Sequence, residues 1–333
     1  MPSIHSQEEG KAIIDVEKMK CDATQVNANG AVIDGFTIRN ILESNCGIRA
    51  NGGSRLVVRN NVIRNCGTGI GLNGASDVFV ERNGFEGNDA GVTWMHGKHI
   101  MIKNNTFANH GIAIHINMFM ESLDGFQIIG NDLSGNKQGI KWTIEKGQGG
   151  GGEIPIIHFN NIRGNTENGM FNAGGRVMDA TNNWWGDASG PDDPDENPGG
   201  LGDKMSDDVT VRPCLGAPIV VPGGVHVQRV GFHGNKADAL AETDTTLSFD
   251  VWLMMWGATT NIYVAKYQSQ PFPEEPFSDV ALNKYIDICI LPAVGGTRIY
   301  IEVNYTSEEV QTTGIQEDAL GLYYYKPEKT WYR

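Results

Sequence analysis

Apolar and polar residues alternate in short bursts along the first two-thirds of the chain. Val78 and Val80, Ile100 and Ile102, and Ile112, Ile114 and Ile116 are each separated by one residue. That is the period of a β-strand, whose successive side chains point to opposite faces. The bursts recur in segments that read alike: SRLVVRNNVIRNCGTGIGL, SDVFVERNGFEGNDAGVTW, KHIMIKNNTFANHGIAI, DGFQIIGNDLSGNKQGIKW and PIIHFNNIRGNTENGMF. In each unit a strand runs into Asn, then a turn, then Gly followed by an apolar residue. Gly47, Gly69, Gly91, Gly111, Gly139 and Gly169 mark the units, at steps of 22, 22, 20, 28 and 30 residues. A period in this range predicts stacked supersecondary units. The units are poor in helix formers, which excludes helical repeats. A propeller blade needs about 40 residues, and the Leu framework of leucine-rich repeats is absent. A coil of this length, with two or three short strands, is one rung of a parallel β-helix, and residues 33–186 give about seven of them.

The asparagines fall into two columns. One reads Asn60, Asn83, Asn104 or Asn105, Asn131, Asn160 or Asn161, and Asn182 or Asn183; the other reads Asn40, Asn65, Asn88, Asn109, Asn136 and Asn165. Each stands where a strand ends and the chain bends, and Asn tolerates the left-handed dihedrals used there. Stacked at the ~4.8 Å strand spacing, each amide reaches the next, so the columns predict structural ladders. Trp94 and Trp142 have the inward parity of core residues.

With these units, and with the closing segment NNWWGDASGPDDPDENPGGLGDKMSDDVTVRP, the chain resembles the right-handed parallel β-helix repeat proteins, a class also called carbohydrate-binding and sugar-hydrolase (NosD-like) repeats. The resemblance covers about residues 25–215. It implies the fold and a carbohydrate partner, but no particular reaction, because the same rungs carry lyases, hydrolases, epimerases and inert spikes.

From about residue 218 the rung period stops. GVHVQRVGF, TTLSFDVWLMMW, NIYVAKYQ, KYIDICIL, TRIYIEVNY and LGLYYYK alternate between Gly, Pro and acidic turns, which predicts an antiparallel β-sandwich. TSEEV, with Thr306 as cap and Glu309 three residues on, predicts one helical turn. This part resembles a C-terminal module of microbial surface proteins. The expected fold is all-β: a right-handed parallel β-helix over 1–216, closed by an acidic loop at 187–208, then a smaller sandwich over 217–333. The polar opening residues lack a secretory signal and enter the repeat abruptly, so the chain is expected to begin partway into its solenoid. A secreted or cell-surface, monomeric protein is the resulting expectation.

Charge narrows the partners. Residues 1–186 hold 18 acidic and 16 basic side chains, whereas 187–333 hold 22 and 10. Phosphate binding needs a basic face, so this balance argues against nucleic acid as a partner. No apolar run reaches the 18 or so residues of a membrane helix. Cys21, Cys46, Cys66, Cys214 and Cys289 have neither metal-like spacing nor the even count of a disulfide framework. Cys46 and Cys66 lie in neighbouring coils and are expected as buried thiols.

Chemistry is sought on the outward side of each rung's second strand. Parity turns Ile48 and Ala50 in, and Arg49 and Asn51 out. The same logic exposes Gly71 and Asn73, Thr93 and Met95, then Ala113, His115 and Asn117, then Lys141, Thr143 and Glu145, and finally Phe171. The result is a strip with a small middle, suited to a sugar chain lying along the helix axis. Insertions at 117–125 and 145–155 follow the same strand of adjacent rungs, and solenoid insertions map to binding faces. For β-elimination of a uronate, Lys141 or His115 is the candidate base and Arg49 or Lys146 the carboxylate clamp. Asn51, Asn73, Asn117, Glu145 and Lys146 are candidate substrate contacts. A glycosidase needs two facing carboxylates, and only Glu145 qualifies, so a lyase or epimerase is favoured over a hydrolase. The competing reading is a solvated face on a non-catalytic surface module. Asp187, Asp192, Asp193, Asp195, Glu196 and Asp203 have the chemistry of a Ca2+ site, weighed against a solvated acidic loop. No organic cofactor is expected.

Overall fold

A computed structural model describes residues 3–5, 12–16, 20–118, 124–144, 153–230, 238–239, 245–250, 260–271, 282, 284–291, 298–313, 324–326 and 330–332. The chain divides into two units, Met1–Gly216 and Ala217–Arg333.

The first unit is a parallel solenoid with three walls. The first wall stacks nine strands in chain order, among them Val57–Arg59, Val78–Glu81, Ile100–Lys103 and Gln127–Ile129. The second wall includes Gly84–Glu86, Thr106–Ala108, Asp132–Ser134 and Asn161–Arg163. The third includes Ala90–His96, Ile112–Met118, Gln138–Ile144 and Asn168–Ala173. The long strands Phe36–Asn51 and Val62–Asn73 run through both the second and third walls. All pairings within these walls are parallel. The alternation read from sequence sets the core: Val58, Val80, Ile102, Ile128 and Ile157 form one inward file, and Leu72, Trp94, Ile116 and Trp142 another, all buried. Phe85 and Phe107 stack across adjacent coils with centroids 4.6 Å apart.

Two corners are held by side-chain ladders. At the first, Asn61, Asn83, Asn105, Asn131, Asn160 and Asn183 stack in turn. From Asn83 onward each Oδ1 accepts the backbone N–H and the Nδ2–H of the residue one coil earlier, as Asn105 does from Asn83 at 2.9 and 3.0 Å. Each Nδ2 also donates to a carbonyl of the preceding coil, for example Asn105 to Val80 at 2.9 Å. At the second corner Asn88, His110, Asn136 and Asn165 follow one another, and Asp203 closes the file.

The register corrects the column reading in one consistent way. The left-handed residue and the ladder residue are neighbours, not the same residue. Asn60, Arg82, Asn104, Gly130, Phe159 and Asn182 take positive φ and stand just before the first ladder; Asn40, Asn65, Gly87, Asn109, Gly135 and Gly164 do the same for the second. Asn60 therefore bends the chain while Asn61 carries the amide. The glycine file is corrected likewise: pairing of Val92 with Ile114 sets Ala113, not Gly111, opposite Gly91. A Cβ on Gly91 would lie 2.5 Å from the Ala113 carbonyl, and one on Gly47 would lie 2.8 Å from that of Gly69. Close approach of consecutive coils selects glycine there.

The second unit contains two three-stranded antiparallel sheets. One pairs Val225–Val230, Thr260–Lys266 and Ile286–Leu291, and the other Asp238–Ala239, Thr245–Asp250 and Arg298–Val303. The expected helical turn is Ser307–Thr313, opened by a capping box. The Thr306 N–H donates to Glu309 Oε2 at 2.6 Å and the Glu309 N–H to Thr306 Oγ1 at 3.2 Å. Among the described residues no helix is long and apolar enough to cross a membrane.

Candidate functional site

The third wall aligns one outward file through seven coils: Gln25, Arg49, Gly71, Thr93, His115, Lys141 and Phe171. Strand pairing brings these residues together in the order parity predicts, about 4.8 Å apart per step. Beside it, Asn117 aligns with Thr143 and Ala173, and Asn73 Nδ2 donates to Asn51 Oδ1 at 3.4 Å. Two members expected on the surface are buried. Ala113 has no exposure, because it lies in the close-packed glycine file. Gly71 is covered as well: a Cβ there would lie 2.7 Å from Cys46 Sγ and 4.0 Å from the Arg49 guanidinium. The strip is therefore interrupted at Gly71, and its open part runs over Thr93, His115, Lys141 and Phe171.

Arg49 lies outside that open part and has its own partner. Its Nε donates to Asp22 Oδ2 at 2.6 Å, one coil earlier. The Cys46 N–H and Gln25 Nε2 also donate to Asp22, at 2.7 and 3.1 Å. Burial opposes ionisation of Asp22, yet the bonds from Arg49, Cys46 and Gln25 hold its carboxyl below the usual carboxylate range. Arg49 stands three coils from His115, roughly 14 Å along the wall by strand spacing. The separation sets the candidate clamp Arg49 apart from the candidate base His115. Sequence reasoning missed Asp22 because nothing in a linear reading pairs it with a residue 27 positions on.

His115 and Lys141 are direct neighbours in the file. His115 Nε2 lies 3.0 Å from Thr143 Oγ1, and the Thr143 hydroxyl donates to Asn117 Oδ1 at 3.1 Å. Burial, and then the Lys141 ammonium, push the His115 imidazole down to about 4, so it is neutral at physiological pH. The Lys141 ammonium lies over the Phe171 ring, 5.7 Å from its centroid. Glu145 and Lys146 lie outside the described residues, as does most of each insertion.

The acidic segment does not gather. Among the described residues no three His, Cys, Asp or Glu side chains form a ligand set. Asp203 is spent on the second ladder: its oxygens accept Gly164 N–H at 2.6 Å, Asn165 N–H at 3.0 Å and Asn165 Nδ2–H at 2.6 Å. Asp187 Oδ1 accepts from the Ser189 N–H and hydroxyl at 2.9 and 2.7 Å. Asp192 lies on a strand bridge to Lys204, and the Asp195 N–H bonds to Asp193. The segment therefore acts in its hydrogen bonds as a closing plug, with Asn197 Nδ2 donating to the Ser189 and Pro191 carbonyls. The histidines are equally dispersed: His99 pairs with Asp77 at 3.0 Å, His158 with Asp179 at 3.2 Å, and His110 is a ladder member. Among the described residues the five cysteines form no disulfide, and burial pushes the Cys46 and Cys66 thiols up to about 11.

The family model described as right handed beta helix region matches residues 22–184. No curated protein matches the chain. That stretch contains every described member of the third-wall file, and its three-walled stacking has the architecture the match names. Over these residues the chain folds as a parallel β-helix and is similar to the right-handed β-helix family.

Proposed function

We propose that the third wall binds a polysaccharide, with Thr93, His115, Lys141 and Phe171 as its contact row and Asn117 and Thr143 beside it. The observation that carries this is the open row itself. A flat parallel wall offers a donor, an acceptor and an aromatic face at the ~4.8 Å strand repeat, and sugar chains present hydroxyl groups and apolar ring faces in similar alternation. The third-wall strands Ile112–Met118 and Gln138–Ile144 carry the row up to the two insertions seen in the sequence. The β-helix family fits a carbohydrate-binding or polysaccharide-active role.

Lyase-type or epimerase-type action on a uronate-containing glycan is the catalytic form of this reading. His115 and Lys141 are adjacent, one neutral and one cationic, as abstraction of a proton beside a carboxylate requires. In this arrangement Lys141 meets the carboxylate and His115 the proton. A metal such as Ca2+ would be taken up by the carboxylates at 187–203, of which Asp203 already has its donors. A non-catalytic surface module remains the second reading, favoured by the bond that takes up Arg49 Nε at Asp22. In either reading the protein is secreted or on the cell surface and monomeric, and the second unit is a β-sandwich for spacing, stability or attachment.

The test is a panel of uronate and neutral polysaccharides, with and without Ca2+. Binding is followed by calorimetry, and turnover by ultraviolet absorbance of unsaturated product together with reducing ends. Turnover lost in Lys141→Ala and His115→Ala supports the enzyme. Binding without turnover supports the module, and silence on every glycan overturns both.

A further inference from the structure

Three side chains from two adjacent coils form a directed chain on the third wall. Thr143 Oγ1 is 3.1 Å from Asn117 Oδ1, an oxygen that only accepts, so the threonine proton is committed to that bond. Thr143 Oγ1 is also 3.0 Å from His115 Nε2. A hydroxyl whose proton is already given can only accept from a second partner, and His115 Nε2 must therefore carry hydrogen. A neutral imidazole has one N–H, which leaves Nδ1 with its lone pair bare. Among the described residues nothing bonds to Nδ1, and the His115 side chain is partly exposed.

We propose that Thr143 and Asn117 are positioning residues that fix His115 as the Nε2–H tautomer, and that its bare Nδ1 accepts a hydrogen bond from a hydroxyl of the bound glycan. The second half of this statement rests on the sugar-binding reading above in its non-catalytic form, because the lyase form needs the same nitrogen for the proton. The neighbours make the acceptor selective. Lys141, the next residue in the file, is a pure donor and asks for a carboxylate or hydroxyl oxygen. His115 Nδ1 asks for the reverse, an O–H. Adjacent groups of opposite demand, one strand spacing apart, fix which way round an asymmetric sugar unit lies. The ring stays neutral because it is half-buried beside that ammonium, so the acceptor persists across the neutral range. The arrangement parallels metal sites in which an outer partner fixes the histidine tautomer, with a hydroxyl–amide pair in place of the carboxylate.

The first experiment needs no variant and no ligand: long-range proton–nitrogen correlation spectra of the nitrogen-15-labelled full chain. The expected pattern for His115 is a pyrrole-type Nε2 and a pyridine-type Nδ1. The opposite pattern, or fast averaging of the two, overturns the tautomer assignment. Thr143→Val is expected to average the two nitrogens and Thr143→Ser to restore the wild-type pattern, whereas a merely structural threonine leaves the pattern unchanged in both.

The second experiment adds the oligosaccharide that binds most tightly in the panel. The Nδ1 resonance is expected to move and the Nε2 resonance to stay, with affinity falling about tenfold in Thr143→Val and unchanged in Thr143→Ser. Movement of Nε2 alone overturns the acceptor role. If the apo spectrum is as expected but no glycan binds, the tautomer stands and the acceptor role falls together with the sugar-binding reading.

Discussion

The corners of the solenoid and the open row of its third wall are built on the same stacking geometry, yet they use it in opposite ways. At the first corner six asparagines in successive coils are joined by the same amide bond from each to the next. On the third wall the corresponding neighbours are Thr93, His115, Lys141 and Phe171, four chemistries in four coils. Repetition closes the hydrogen-bonding needs of a buried backbone, where any unpaired group is costly. Variation spends fewer groups on the coils above and below: Lys141 lies over Phe171 and His115 Nε2 meets Thr143, but no repeating ladder closes the row. In a solenoid, identity along a file marks architecture and heterogeneity along a file marks the place to look for function.

The largest effect comes from breaking a file of identical residues. Asn105→Ala removes the acceptor for the Asn83 N–H and Nδ2–H and the donor to Val80 O, Lys103 O and Asn131 Oδ1. The loss is expected to be about 3 kcal/mol or more, read as a lower urea midpoint. Gly91→Ala comes next: the added Cβ meets the Ala113 carbonyl at 2.5 Å and the Phe107 ring at 2.7 Å. It should cost about 1–3 kcal/mol in the same assay.

A smaller change sharpens the contrast from the other side. His110 is the irregular member of the second ladder, and its Nε2 is enclosed without a partner. His110→Asn makes the file uniform and is expected to raise stability by up to about 1 kcal/mol. The least effect on folding is expected at the open row. The His115 imidazole sits at about 4 in the folded protein against 6.5 ordinarily. As pH falls below 6.5 the unfolded chain takes up a proton that the folded chain refuses. Stability therefore declines between about pH 6.5 and 4 and levels off below. His115→Gln should remove that part of the pH dependence while leaving stability at neutral pH nearly unchanged, as chemical denaturation across the pH range would show.

Much of this contrast was legible in the chain. Alternation at Val78–Val80 and Ile100–Ile102 gave the strands, and parity placed Ile48, Trp94 and Trp142 inside and Arg49, His115 and Lys141 outside. What sequence could not fix was register to the single residue. Asn60 and Asn61 are the same residue type with different tasks, and only the coil above decides that Asn61 faces Asn83. Gly111 looked like the rung glycine, but the pairing of Ile112 with Ala90 puts Ala113 in that file. The second column mixed turn residues such as Asn109 with ladder residues such as Asn88, because His110 and Asp203 fill ladder positions with other side chains. At the site, the Asp22–Arg49 pair and the His115–Thr143–Asn117 chain join residues 27, 28 and 26 positions apart, separations that become contacts only once the coils are stacked.

Calorimetric titration of one uronate oligosaccharide series against four proteins tests the central claim most directly. The four are the wild type, Lys141→Ala, His115→Gln, and Phe79→Ala, whose exposed ring lies on the first wall. The account predicts binding by the wild type, a loss of affinity of at least about tenfold, or about 1.4 kcal/mol, in each third-wall variant, and no change in Phe79→Ala. Equal affinity in all four proteins, or a loss confined to Phe79→Ala, would contradict it.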